Sequence, residues 1–437
     1  MFRYYFRLGI RSLRRNMVLT GLMIAAIAVG IGACMTALTV FRAMSGDPIP
    51  QKSSELYTPQ IDNWSPDRPP QDSPDHLNAL LSYIDVTAFT QAHAAKRQAA
   101  MFATLLSVRP NDPRQKPFKA NVRTTYTDFF PMFDAPFKYG RPWSAADDAN
   151  RSAVVVLTSQ MNDRLFGGQN SVGKTIRLDS EPYTVTGVLD DWQVLPRFYD
   201  LQVQPFGRSD EIFMPFTRAI EKQMQVLGSI QCNGDGGTAY GVLLRSECVW
   251  LQFWVELPTA ADAAKYRAYL NNYAAEQQRL GRFHWPPHTQ LRNVTEWLHY
   301  RHVVPNEVRI LILVSFGFLL VCLMNAMGLM LAKIMGRAGD IGVRRALGAS
   351  RAAIFAQCLM ETGVVGLAGG ILGLGLTALG LLAARSLLSK NFVALAHLDL
   401  TDTAIAVLLG VGATVVAGLY PTWRAAHVQP ASQLKAQ

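Results

Sequence analysis

Residues 17–41 read MVLTGLMIAAIAVGIGACMTALTVF, 25 positions without a charge. At helical rise about 20 apolar residues cross a hydrocarbon layer of roughly 30 Å, so this stretch predicts a membrane helix. Three more charge-free runs of at least 20 residues lie in the last third, at 310–332, 362–384 and 403–423, and each predicts another. Between the first and second runs are 268 residues, 42–309, with ordinary amounts of charge, proline and turn residues. The predicted fold is an α-helical membrane protein with four transmembrane helices and a large mixed α/β domain inserted between the first and the second.

Charge placement orients this arrangement. The formal net charge of +10 is concentrated in three short segments. Residues 1–16 carry Arg3, Arg7, Arg11, Arg14 and Arg15 with no acid. Residues 333–361 carry Lys333, Arg337, Arg344, Arg345 and Arg351 against Asp340 and Glu361, and the tail 424–437 adds Arg424 and Lys435. Lys and Arg gather in the short cytoplasmic flanks of membrane helices, which predicts an N-in, C-in topology with 42–309 and the loop 385–402 outside. The basic excess is accounted for by attraction to anionic lipid and does not indicate a nucleic-acid partner.

Ile31-Gly32-Ala33-Cys34 loosely resembles a lipoprotein cleavage box, but the apolar run is longer than a signal core of about 7–15 residues and continues past Cys34. An uncleaved anchor is expected, with Cys34 a small packing residue. Outside the membrane, Cys232 and Cys248 bracket a Gly-rich turn at 233–237. In an oxidising compartment this spacing suits a disulfide, two free thiols being the alternative.

In the inserted domain, 152–157 is a β-branched run and 160–166 has a helical pattern. Residues 175–178 and 183–189 alternate across a turn at 179–182 as a hairpin does; 211–216 and 249–257 read as strands, and 260–280 as a helix. Gly168 to Thr175 fits the phosphate-loop pattern G-x-x-x-x-G-K-T at every position. That loop needs a strand before it and a helix starting at its Lys-Thr. Here the order is inverted, and a helix-to-strand turn with a solvated Lys174 is expected. His284, His288, His299 and His302 lie near one another, but no Cys, Asp or Glu has ligand-like spacing among them, so no metal is expected. No nucleophile motif is present, and the chain is expected to be non-catalytic.

In the third run, Gly366 and Gly370, and Gly369 and Gly373, are each four apart, which lets helix backbones approach closely. Whether they meet a helix of the same chain is left open by spacing. Asn325 is the one strongly polar side chain of the second run, and it should face a partner helix instead of lipid.

The segment after the second run reads GRAGDIGVRRALGASR at 336–351, then 352–361 as an apolar-faced helix entering the bilayer. On physics alone it is an amphipathic helix on the membrane surface or a docking element for a cytoplasmic partner. It resembles the signature of the FtsX-like permease family, and the stretch GLYPTWRAAHVQP at 418–430, with Leu434, is similar to that family's ending. Residues 129–188, with Phe129-Phe130, Gly140-Arg141, Leu165-Phe166-Gly167, Val172 to Thr175 and Tyr183-Thr184-Val185, resemble the periplasmic core domain of MacB-type transporters.

The resemblance implies a permease subunit of an ATP-binding-cassette machine in the bacterial inner membrane, with the 42–309 domain in the periplasm. Two permease chains, identical or paralogous, would pair. A cytoplasmic ABC ATPase, holding ATP and Mg on its own chain, would push on the 333–361 segment, for which Asp340, Ile341, Arg344, Arg345, Leu347, Gly348, Ala349 and Arg351 are the candidate coupling residues. A periplasmic adaptor and an outer-membrane channel often complete such machines. The chain departs from the pattern at Asp340, where Glu is usual, and MacB's fused ATPase is not recognisable, so a separate ATPase chain is expected. A lipoprotein-releasing permease of the LolCDE kind and an FtsX-like regulator of a periplasmic hydrolase are the alternative readings.

Overall fold

The computed structural model describes residues 17–63, 77–110, 114–203, 205–207, 210–232, 239–387 and 400–426. The basic segment 1–16, the turn at 233–237, most of the loop 385–402 and the tail from 427, Leu434 included, fall outside the described residues. Two compact units are present: Met1–Gly46 with Val304–Gln437, and Asp47–Val303.

The first unit is built on four helices long and apolar enough to cross a membrane: Met17–Ser45, Asn306–Met335, Arg351–Leu387 and Leu400–Ala426. Each contains one charge-free run and extends beyond it. The third extends furthest, because Arg351 to Glu361 is amphipathic and winds as one helix with the apolar run. Its 37 residues are about 55 Å long, well beyond a hydrocarbon layer of roughly 30 Å.

The glycine pairs of the third helix face two different neighbours within the chain. A Cβ on Gly369 would lie 2.6 Å from Ile27 Cγ2, and one on Gly373 would lie 2.9 Å from Ile31 Cβ, both on the first helix. A Cβ on Gly366 would collide with Thr414 Oγ1 and sit 2.7 Å from the Gly410 carbonyl on the fourth helix, which Gly370 also approaches. In lipid, where apolar surface alone does not drive association, such contacts are the main source of helix adhesion. Gly366→Leu should therefore separate the third and fourth helices, lowering the midpoint of thermal unfolding in detergent. Gly363→Leu, at a position with no neighbouring heavy atom within 4 Å, is the control.

The second unit is a mixed sheet of eleven strands. They are β1 (Leu56–Ile61), β2 (Leu81–Ser82), β3 (Arg97–Arg109), β4 (Phe118–Thr125), β5 (Phe137–Gly140), β6 (Val154–Leu157), β7 (Thr175–Leu178), β8 (Glu181–Leu189), β9 (Ile212–Pro215), β10 (Val249–Glu256) and β11 (Thr289–Asn293). The main order is β11-β1-β10-β3-β4-β9-β6-β8-β5, with β2 on β10 and β7 joining β3 and β8. Both faces are covered. Along β3, Ala100 and Phe102 enter a core with Trp250, Tyr266 and Leu270, while Ala99 and Met101 enter another with Phe129, Phe133 and Trp254. Cys232 and Cys248 form a disulfide that ties the segment before β10 to its first turn.

Asp148 lies beneath the second face. Its carboxylate accepts from Thr127 N–H at 2.9 Å and Trp143 Nε1 at 2.8 Å. Burial raises its pKa to about 6, against the lowering effect of those two bonds. A raised carboxylate pKa contributes stability that is complete below the unfolded value of about 3.9 and is lost as pH rises through about 6. Between pH 7.5 and pH 5 this residue should make the domain harder to denature. In urea titrations Asp148→Asn should flatten that part of the pH profile.

Candidate coupling site

The helix Asn306–Met335 is followed by a turn at Gly336 and Arg337, a short helix Ala338–Ala346, and four residues leading to Arg351. Gly348 ends the short helix at φ 99°, in the left-handed region. Its N–H donates to the Arg345 carbonyl at 3.1 Å and the Ala349 N–H donates to the Arg344 carbonyl at 3.0 Å. This bond pair closes a helix on a glycine. Ser350 Oγ then accepts from the Ala353 N–H at 3.1 Å, capping the third helix. Gly348, Ala349 and Arg351 thus shape a tight reversal, and the basic side chains Arg344 and Arg345 sit at the helix C-terminus, where the dipole favours them.

The short helix has two distinct sides. Ile341, half-buried, and Arg344, exposed, line a cavity of about 80 Å³ with Lys333, Arg337, Ile354, Gln357, Cys358 and Glu361. Arg344, exposed, donates from Nη1 to Gln357 Oε1 on the third helix at 3.2 Å. Lys333, buried, pairs with Glu361 and donates to Thr20 Oγ1 at 3.1 Å. On the other side Val343 and Leu347, four residues apart, are 56% and 83% exposed. They form an outward apolar row that attention to charge alone misses; the four-residue spacing along a helix is the signal that reveals it. Asp340 lies within the helix.

Asn325 is exposed on the second helix and, among the described residues, has no hydrogen-bond partner. Among the described residues no helix supplies the facing partner expected for it.

The phosphate-loop look-alike is a turn between the helix Ser159–Phe166 and β7. Gly167, Gly168 and Gly173 have positive φ, and the loop amides are used within the fold. Gly173 N–H donates to the Val185 carbonyl at 2.8 Å and Lys174 N–H to the Ser171 carbonyl at 3.0 Å, while the Lys174 ammonium lies 5.2 Å from the Phe166 ring centroid. No helix begins at Thr175 to aim a dipole at phosphate. Among the described residues no three His, Cys, Asp or Glu side chains converge as a metal site, and His284, His288, His299 and His302 form no such group.

Residues 20–273 match the MacB-like periplasmic core domain and residues 312–430 the FtsX-like permease C-terminal domain. The macrolide export ATP-binding/permease protein MacB of Azoarcus sp. is 24% identical over 438 residues, covering 99% of this chain and 59% of that protein. The pyoverdine export ATP-binding/permease protein PvdT of Pseudomonas fluorescens is 26% identical over 314 residues, covering 71% of this chain and 42% of that protein. The chain spans about half the length of these curated relatives. The crystal structure of the periplasmic region of MacB from Actinobacillus actinomycetemcomitans overlaps 56% of this chain and 92% of its own at 15% identity, with a TM-score of 0.36. With one match on the inserted sheet domain and the other on the C-terminal membrane helices, the chain belongs to the FtsX-like ABC transporter permeases that carry a MacB-like periplasmic core domain.

Proposed function

We propose that this chain is the permease element of an ATP-binding-cassette exporter and couples ATP hydrolysis on a separate ATPase chain to movement of its periplasmic domain. The outward Val343–Leu347 row on a short helix closed by Gly348 carries this reading. An apolar row four residues apart suits insertion into a groove of a cytoplasmic partner, the mode by which helices dock through i, i+4 anchors. The rigid third helix starts four residues later and runs the length of the membrane unit, so a displacement of the short helix is delivered along it as a rod. Its close glycine contacts with the first and fourth helices make the unit move together. Arg344 and Arg345 act in this reading by fixing the short helix and its approach field, with the direct contact left to Val343 and Leu347.

A second permease chain, identical or paralogous, gives the exposed Asn325 a partner in the membrane. The ATPase carries ATP and Mg. The periplasmic domain works with an adaptor and an outer-membrane channel, and the machine sits in the bacterial inner membrane with both chain termini cytoplasmic. The names of the relatives support export as the direction of transport. Gentle purification of the tagged chain from its own membranes should recover an ABC ATPase and nucleotide hydrolysis with it. Recovery of a fully active transporter containing no ATPase chain would refute the division of labour. In that complex Lys174→Ala should leave the hydrolysis rate unchanged, since Lys174 rests on Phe166; a true phosphate-loop lysine neutralises the transferred phosphate, and its loss would abolish turnover.

A further inference from the structure

The cavity behind the short helix has a chemistry that docking of a partner does not use. Its walls carry three cations, Lys333, Arg337 and Arg344, and one described carboxylate, Glu361. Glu361 is engaged by Lys333 and lies 3.7 Å from Arg337. Arg344 donates to a neutral amide, Gln357. The remaining lining is apolar: Met23 from the first membrane helix, Met330 and Ile334 from the second, Ile354 and Val365 from the third. Met23, Met330 and Val365 also border a second, narrower crevice that continues among Ile27, Leu323 and Thr414 with no polar surface. The crevice, at about 10 Å³, has room for no more than a water, so it is the cationic mouth, bordered by apolar side chains at the ends of membrane helices, that suits the anionic head of an amphiphile. At about 80 Å³ the mouth holds several times the roughly 10–15 Å³ that one water needs, which is room for a phosphate group.

We propose that this cavity binds the phosphate headgroup of an anionic phospholipid of the cytoplasmic leaflet, with Arg337 and Arg344 on the phosphate and an acyl chain directed along Met23 and Met330. Basic pockets between membrane helices on the cytoplasmic side have this selectivity. The proposal rests on the membrane orientation read above. A lipid bound there would wedge between the short helix and the start of the third helix, so membrane composition would set how firmly the two are joined.

Cys358 lines the cavity and serves as the reporter. Cys34 and Cys322 are buried and Cys232 is bonded to Cys248, which leaves Cys358 the most accessible thiol. The full chain is placed in nanodiscs of phosphatidylcholine with or without phosphatidylglycerol of the same chain length, and the rate of Cys358 alkylation is measured. Phosphatidylglycerol should slow alkylation several-fold. Native mass spectrometry of the Arg337→Gln/Arg344→Gln variant should show phosphatidylglycerol binding about 30-fold weaker, the loss expected for two cationic contacts. Arg337→Lys/Arg344→Lys, which keeps the charge, should restore most of the affinity and shows whether loss in the Gln variant reflects misfolding.

Equal alkylation in both nanodiscs overturns the proposal. Equal protection by millimolar inorganic phosphate in pure phosphatidylcholine overturns the lipid assignment, as does protection that appears only when the ATPase is bound. Orientation is read separately, with an impermeant maleimide in sealed vesicles. Access to Cys358 from the periplasmic face would contradict the topology, whereas cytoplasmic access without lipid protection would overturn the headgroup site alone.

Discussion

Arg123→Ala should destabilise the inserted sheet domain by about 3–5 kcal/mol and lower its melting point by on the order of 10 °C, the cost of stranding a buried charge partner. Arg123 projects from β4 and is fully buried. Its Nη2 donates to Asp200 Oδ2 at 2.7 Å and to Asp210 Oδ1 at 3.0 Å, its Nε donates to Asp210 Oδ2 at 3.1 Å, and Tyr199 O–H donates to the same oxygen at 3.1 Å. Burial pulls the guanidinium toward neutrality, but the two carboxylates more than offset this and hold it charged. Burial likewise pushes the Asp210 carboxyl up, yet Arg123 and then Arg197 bring it below the ordinary carboxylate value. Alanine leaves two buried carboxylates with their principal cation removed.

The pH dependence gives this prediction a second arm of opposite sign. A lowered Asp210 pKa contributes stability that is present above the unfolded value of about 3.9 and lost as pH falls through the folded one. In the variant the effect of burial on Asp210 is opposed mainly by Arg197, so its value should rise and its contribution should be lost as pH rises instead. Wild type should lose this contribution in acid and Arg123→Ala should regain stability there. Denaturant titrations of both proteins from about pH 2 to pH 8, a window that reaches below the unfolded value of about 3.9, test it, and parallel profiles would contradict the account of this network.

Much of the membrane unit was legible because lipid leaves few options: a charge-free run long enough to span must be helical, and the four runs lie inside four helices. The start of the third helix was legible as well: 352–361 reads as an apolar-faced helix entering the bilayer, and Arg351–Leu387 winds as one helix. In the sheet domain the hairpin of β7 and β8 shows as alternation because one side of β7 faces solvent. By contrast β3, the longest strand, is buried on both faces, and its run of Ala, Met and Phe carries no period-2 signal. The phosphate-loop match misled only at the level of letters. Its glycines are there for positive φ, and the order of helix, turn and strand around them was readable.

At the coupling segment Leu347 and the arginines are named from sequence, and the structure adds Val343, exposed beside Arg344 and Leu347. The exposed Arg344 donates to Gln357, a partner 13 positions away that spacing on the short helix does not reveal. The phase of that helix, fixed by how it joins the second and third membrane helices, decides which row is presented. Asn325 illustrates the complementary limit: a polar residue in mid-membrane calls for a partner, and among the described residues none faces it.

The coupling account is tested most directly by Val343→Asp/Leu347→Asp, measured as substrate export and ATP hydrolysis by the reconstituted full complex. Both side chains project outward, so the permease should insert and keep its melting point while two charges are placed in an apolar contact. Export should be lost, with at least about a hundredfold weaker hold on the ATPase if each buried charge costs more than about 1.4 kcal/mol. A double variant that retains the ATPase and exports at the wild-type rate would contradict the claim that this row receives the stroke.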